Sequence, residues 1–175
     1  KLIEGWCEEN DFTLEKPVDA FSQEEMAALY RRHVSMVYQI CLMLLKNVPD
    51  AEDATQNVFR KVMEQDKPFR DPEHEKAWLL RVTINHCKNH LASAWFRKRA
   101  DLDEGIPALD SAELEVVTAV AALPVKYRAV VHLYYFEGYS TKEIADILHS
   151  RPNTVSSRLS RARALLAKAL KEEIV

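Results

Sequence analysis

Glycine is scarce in this chain of 175 residues, and the three present, Gly5, Gly105 and Gly138, all lie outside the periodic segments. That points to an all-helical protein. Long apolar runs are also missing. None approaches the roughly 20 residues needed to cross a bilayer, so no membrane insertion is expected. Lys1 to Phe12 has neither the apolar stretch nor the small-residue cleavage site of a signal peptide. The first residue is Lys1 rather than methionine, which reads as a processed or truncated chain. Cys7, Cys41 and Cys87 are odd in number and show no CxxC spacing. They suit a reducing cytoplasm better than a disulfide framework. Catalytic motifs are lacking too: there is no P-loop, GxSxG or HExxH. No enzymatic activity and no cofactor are expected. His86 and His90 flank Cys87 at a spacing two zinc ligands could use on one helix face, but no further ligand pair is evident and no metal is expected.

What is there can fill a core: 47% of residues are hydrophobic and 29% charged. The net charge of −3 hides a strong segregation. Lys76 to Arg99 holds six basic residues and no acid, and so does Arg151 to Lys171. Between them Asp101 to Glu115 holds six acids and no base, and the first 25 residues carry eight acids against two lysines. Two basic blocks separated by an acidic one suit two phosphate-facing surfaces joined by a non-binding linker, although each could be a solvated helix face.

Helical periodicity organises most of the chain. Ser22 and Glu25 have capping-box spacing, and apolar residues from Met26 to Leu45 then recur at three- and four-residue steps. Pro49 is expected to end that helix and Asp50 to cap a second, carrying Ala54, Val58 and Val62. Gln65 to Arg70 reads as a loop, and Asp71-Pro72 as a capped start of a third helix. Gly105 and Pro107 mark an inter-domain linker. Beyond it, one helix is expected to end at Leu123-Pro124. A second is expected from Val125 to Glu137, stopped by Gly138 as a left-handed cap. Ser140 and Glu143 form another capping box, and the helix from Pro152 carries Val155, Leu159, Ala162, Leu165, Leu166 and Leu170 on one side. The expected fold is all-α: two small helical domains joined by a short acidic linker. The expected parts are an extension over 1–20, domains over 21–99 and 111–175, and the linker over 100–110.

The segment from Ser140 to Leu166 has a short capped helix, a tight turn and a longer helix. That is the layout of a helix-turn-helix, whose second helix enters the major groove. Small hydroxyls allow close approach, and arginine forks match phosphates or guanine edges. An ordinary helical hairpin with a basic face is the competing reading.

The run YSTKEIADILHSRPNTVSSRLSRARALL resembles the promoter-reading helix-turn-helix of bacterial sigma factors, especially the small extracytoplasmic-function (ECF) group. LPVKYRAVVHLYYFEG resembles the helix pair packed before it. In the first half, LYRRHVSMVYQICLMLLKNVPDAEDATQNVFRKV is similar to the helices that dock on the polymerase clamp helices. FRDPEHEKAWLLRVTINHCKNHL is similar to the helix that opens and reads the downstream (−10) element. The resemblance implies a transcription-initiation factor that lends RNA polymerase its promoter specificity. Its partners would be the core enzyme, through the clamp helices of the largest subunit, promoter DNA, and an anti-sigma factor.

Carried over residue by residue, the resemblance places Asp50, Glu52, Asp53, Gln56, Asn57 and Phe59 on the polymerase-binding surface. The pattern by itself already groups Asp53, Gln56, Asn57 and Arg60 on a polar face opposite Ala54, Val58 and Val62. Phe69, Trp78, Arg81, Asn85, Lys88 and Asn89 fall on the −10 surface, with Gln65 to His74 as the loop that would hold a flipped base. Phe69 and Trp78 could equally serve the core, and Trp78 reads better that way. Lys142, Asn153, Thr154, Ser156, Ser157, Arg158, Ser160, Arg161 and Arg163 fall on the upstream (−35) surface. The sequence departs from the family at His149, where a glycine is usual, and at Asn153, where a small residue is. Glu75 replaces a common aromatic, and Ser156 and Ser160 replace bulkier contact residues. Two other functions fit the bare pattern: a stand-alone helix-turn-helix repressor or activator, and a helical module that binds acidic protein rather than DNA.

Overall fold

The computed structural model describes residues 21–97 and 111–172. The acidic extension over 1–20, the linker over 100–110, and Cys7, Lys98 and Arg99 lie outside the described residues. Among those described there are seven α-helices and no strand: α1 (Gln23–Leu45), α2 (Val48–Met63), α3 (Pro72–Arg97), α4 (Ser111–Ala122), α5 (Val125–Val131), α6 (Thr141–Ile147) and α7 (Pro152–Glu172).

Local chemistry sets most of these boundaries. Ser22 and Glu25 close their capping box at α1: the Glu25 amide donates to Ser22 Oγ at 3.2 Å, and the Ser22 amide to Glu25 Oε2 at 2.8 Å. Lys46 ends α1 in the left-handed conformation, φ 59°. The start of α2 differs from expectation. Asn47, not Asp50, is its cap, accepting from the Asp50 amide at 2.8 Å, and Pro49 lies inside the first turn of α2 rather than stopping α1. The reason is that proline has no N–H to lose in a first turn, so it starts helices as readily as it ends them. Asp71 caps α3 by accepting from the His74 amide at 2.7 Å.

The helix expected from Val125 to Glu137 is not uniform. After Val131 the ladder widens into one π-helical turn, His132–Phe136, and Gly138 then reverses the chain at φ 74°. A Cβ there would meet nothing within 4 Å, so the requirement is for the left-handed backbone and not for space.

α1, α2 and α3 pack together over Ile40, Leu44, Val58, Val62, Leu79, Leu80 and Ile84, all fully buried. Each such side chain contributes about 1.5–3 kcal/mol by leaving water. Thr55 and Thr83 are also buried and satisfy their hydroxyls on the carbonyls of Ala51 and Leu79, both at 2.7 Å. α5, α6 and α7 close a second unit over Val130, Leu133, Ile144, Val155, Leu159 and Ala162. Leu165, expected on the buried side of α7, is 43% exposed, whereas the next residue, Leu166, packs against the cluster of Val120, Leu123, Tyr127 and Val131. One apolar cluster runs through both units.

Candidate nucleic-acid interface

α7 presents its polar residues on one side because its apolar ones are fixed on the other. Val155, Leu159 and Ala162 are buried, which leaves Asn153, Ser156, Ser157 and Ser160 exposed as a strip of short side chains. At about 100° per residue, Arg158 and Arg161 flank this strip on one edge and Arg163 on the other. Arg158 is half-buried and Arg161 exposed. Arg161 lies by the Tyr127 hydroxyl and, with Lys126, holds its pKa below the ordinary phenol value. Arg163 is held away from the strip: its Nε donates to the Tyr135 hydroxyl at 2.8 Å, and its guanidinium lies 5.5 and 5.7 Å from the rings of Tyr134 and Tyr135. Thr154 is half-buried in the first turn, and Lys142 is exposed in the first turn of α6.

α6 is set by its capping box, with the Glu143 amide donating to Ser140 Oγ at 3.3 Å and the Ser140 amide to Glu143 Oε2 at 2.8 Å. Those hydrogen bonds hold the Glu143 carboxyl below the usual carboxylate range. The turn into α7 passes through His149 at φ 46°. Histidine thus takes the left-handed position where glycine is usual in the resembling family. Asn153 is helical and needs no such tolerance.

The α3 face is built differently. Trp78, Arg81, Asn85, Lys88 and Asn89 share one side of the helix, with Asn85 and Asn89 exposed and the other three half-buried. Phe69 packs at ring-centroid distances of 5.5 Å from Phe21, 5.4 Å from Trp78 and 5.8 Å from His74. Both Phe69 and Trp78 lie against the core and keep partly exposed edges. Arg81 Nη1 meets His149 Nε2 at 2.5 Å. Lys88 has its pKa lowered, first by burial and then by Arg158.

On α2, Glu52, Asp53 and Gln56 are exposed and Asp50 and Asn57 half-buried. Asn57 is stapled to its own helix, donating to the Asp53 carbonyl and accepting from Arg60, both at 2.8 Å. Phe59 corrects the surface reading. It is 4% exposed and packs in the core, with Tyr30 4.7 Å away ring to ring, because it falls on the apolar side of α2 beside Val58 and Val62.

Glu75 is buried and resolves the packing left open by its replacing an aromatic. It accepts from Arg32 at 3.0 and 3.2 Å and lies 2.6 Å from His33 Nε2, so an ion pair and a polar contact fasten α1 to α3 where a ring would. Cys87 is buried 3.8 Å from Cys41 and turned away from the face of His86 and His90. His90 Nε2 instead lies 3.4 Å from Asp50. Sequence reasoning missed Tyr134 and Tyr135 as the seat of Arg163, and Asp146, Ile147 and His149 as neighbours of the α3 face. Nothing local signals either, since the partners of Arg163 and of α3 lie far along the chain.

Comparison with known proteins bears on both halves. The pattern of sigma-70 region 2 matches residues 29–97, and that of sigma-70 region 4 matches residues 113–166. The chain is 33% identical over 147 residues to the ECF RNA polymerase sigma factor SigM of Mycobacterium tuberculosis, covering 81% of this chain and 75% of that one. It is 28% identical over 147 residues to the RNA polymerase sigma factor SigV of Bacillus subtilis, covering 81% and 88%. In fold it is similar to the sigma factor RpoE, solved with the anti-sigma factor NepR, from Bartonella quintana. There the TM-score is 0.68 at 21% identity, over 85% of this chain and 98% of that one.

Proposed function

Because the chain belongs to the ECF sigma factors of RNA polymerase, we propose that its two domains divide the promoter between them. As a family member it directs the polymerase to promoters and catalyses nothing itself. In this reading the domain over 21–99 docks on the clamp helices of the largest subunit through Asp50, Glu52, Asp53, Gln56 and Asn57. Phe69, Trp78, Arg81, Asn85, Lys88 and Asn89 of that domain melt and hold the −10 element. The domain over 111–175 reads the −35 element with α7, using Arg158 and Arg161 beside Asn153, Ser156, Ser157 and Ser160. Lys142 and the first turn of α7, with Thr154, meet phosphate. Arg163 is at most a phosphate contact, since its fork is engaged by Tyr135.

The observation that carries this reading is the strip on α7, short and hydroxylated at its centre and edged by arginine, with its reverse side locked into the core. Such a helix can approach base edges closely without moving from its own domain. A protein of this kind works beside the polymerase in the cytoplasm, and no helix among the described residues is long and apolar enough to cross a membrane. We extend to it an anti-sigma partner, the class of protein with which the similar RpoE was solved.

The test is transcription in vitro with core polymerase. Wild-type chain should start transcripts at specific promoters, while free chain should bind duplex promoter weakly. Asp53→Arg with Gln56→Arg should abolish co-elution with the core enzyme and leave helicity unchanged. Normal holoenzyme assembly by that double variant would remove α2 from the docking surface. Tight, specific duplex binding by the free chain would favour the repressor.

A further inference from the structure

Three arginines border the strip on α7, and one of them is held from outside the helix. Arg163 Nε donates to the Tyr135 hydroxyl at 2.8 Å, and its guanidinium lies 5.5 Å from the centre of the Tyr134 ring and 5.7 Å from that of Tyr135. The two rings meet edge to face, 5.0 Å apart. Consecutive residues of an α-helix point about 100° apart, so in an ordinary helix two neighbouring rings diverge. The π-helical turn brings these two to one side chain. The Glu137 amide donates to the His132 carbonyl five residues back, at 3.1 Å, and the turn so widened carries an extra residue. His132 and Leu133 stay buried, while Tyr135 stands 54% exposed beside α7. No acid lies on α7 between Arg151 and Lys171 to take Arg163 instead.

Without that hold Arg163 would reach over the strip. Side chains on a helix lean towards its N-terminus, and Arg163 follows Ser160 by three residues and Ser156 by seven, so its stem points along the line of those two serines. Both serines are exposed and short, and they leave room for a planar fork that matches a guanine edge in the major groove. Held at the rings, the fork keeps its Nη groups open to a phosphate but faces the phenol and not the strip. We propose that Tyr135 is a specificity-determining residue: with the Tyr134 ring beside it, its hydroxyl keeps Arg163 off the strip, so that α7 reads the upstream element only through the arginines of the opposite edge. The inference rests on the assignment of α7 to the −35 element. Tyr135 touches no base itself and acts through Arg163, as a positioning residue. A site discriminates by what it declines to contact as well as by what it contacts.

The experiment uses holoenzyme assembled from core polymerase and the full chain in five forms: wild type, Tyr135→Ala, Tyr135→Phe, Tyr135→Ala with Arg163→Ala, and Phe136→Ala. The last removes an exposed ring from the same turn. Affinities are measured for a promoter the wild type transcribes and for its single-base-pair variants across the upstream element. Tyr135→Ala should keep the wild-type preferences and add one of about tenfold for guanine at a further base pair, the discrimination a freed arginine supplies. Tyr135→Phe, which keeps the ring, should show the same gain at a smaller size. The double variant and Phe136→Ala should show none. No new preference in Tyr135→Ala, or one that survives loss of Arg163 or appears in Phe136→Ala, would overturn the proposal. So would an even loss of affinity with a shallower salt slope, which would make Tyr135 a support for a phosphate contact. If circular dichroism shows Tyr135→Ala unfolded, Tyr135→Phe decides in its place. The hold is read without DNA from the Arg163 Nε–H resonance of the free chain. It should exchange with water more slowly in wild type than in Tyr135→Phe, and equal rates would overturn the hold. If instead Arg158→Ala and Arg161→Ala leave every preference unchanged, the assignment of α7 to DNA fails and takes the specificity role with it, while the resonance still decides the hold.

Discussion

α3 and α7, the two helices proposed to meet DNA, carry similar side chains, arginine with short polar residues on one helical face, yet they stand in opposite circumstances. On α7 the central residues Ser156, Ser157 and Ser160 are exposed and the apolar side is the one that is covered. On α3 the face proposed for the −10 element is itself half covered: Trp78 lies against Phe69 and the core, Arg81 against His149, and Lys88 is desolvated. A surface that reads duplex from outside needs only a firm reverse side. A surface that must hold unstacked bases needs aromatic walls. The same residue types therefore give an exposed polar face on α7 and a half-covered one on α3.

The largest effect expected from breaking this contrast is structural. Leu159→Ala removes a buried side chain beneath the α7 strip and should cost about 2–5 kcal/mol in denaturant unfolding. Leu165→Ala, less than two turns along but 43% exposed, should stay within about 0.5 kcal/mol. Equal effects would mean that α7 is not anchored by its apolar side. Next in size is readout. Alanine at Arg158 or Arg161 should leave the fold intact and cost holoenzyme about 1–3 kcal/mol at one upstream base pair if the residue reads a guanine edge. If it holds phosphate only, binding should weaken evenly across sequences and the salt slope fall by about one. Affinities for wild-type and singly altered upstream elements at several salt concentrations separate the two, and no change in either arginine variant would remove α7 from DNA. Arg163→Ala should leave sequence preference unchanged.

Smaller still is the cap that aims the helix-turn-helix. Ser140→Ala should lower stability by about 0.5–2 kcal/mol without changing which base pairs are read, as thermal melts and the same binding series would show. The smallest effect is pH. Burial holds His132 below the ordinary histidine value of 6.5. The unfolded chain therefore takes up a proton that the folded one refuses, and stability should decline as the pH drops below about 6.5, by at most about 1.4 kcal/mol per unit. Glu25, Asp71 and Glu143 are held low by their cap hydrogen bonds. Their contribution is present above the ordinary carboxylate value and is lost as the pH falls through their lowered ones. A melting temperature flat from neutral to mildly acid pH would show that His132 is not protected from protonation.

The sequence by itself determined whatever depends on neighbours within a turn or two. Ser22 with Glu25 and Ser140 with Glu143 specify helix starts because both partners lie on one turn. Val155, Leu159 and Ala162 fix which side of α7 is hidden because the spacing is the helix's own. Phe59 was legible too, since it falls on the apolar side of α2 with Val58 and Val62, and only its ring partner Tyr30 was not. Tertiary structure decided the rest. Glu75 could replace a ring because Arg32 meets it with opposite charge and His33 with a ring nitrogen, both more than forty residues earlier. The pairing of Arg128 with Met43 and of Lys76 with Glu137 joins residues 85 and 61 positions apart. Such pairs have no period and no local propensity to betray them, since only the folded chain brings them within reach and only burial makes their charges matter.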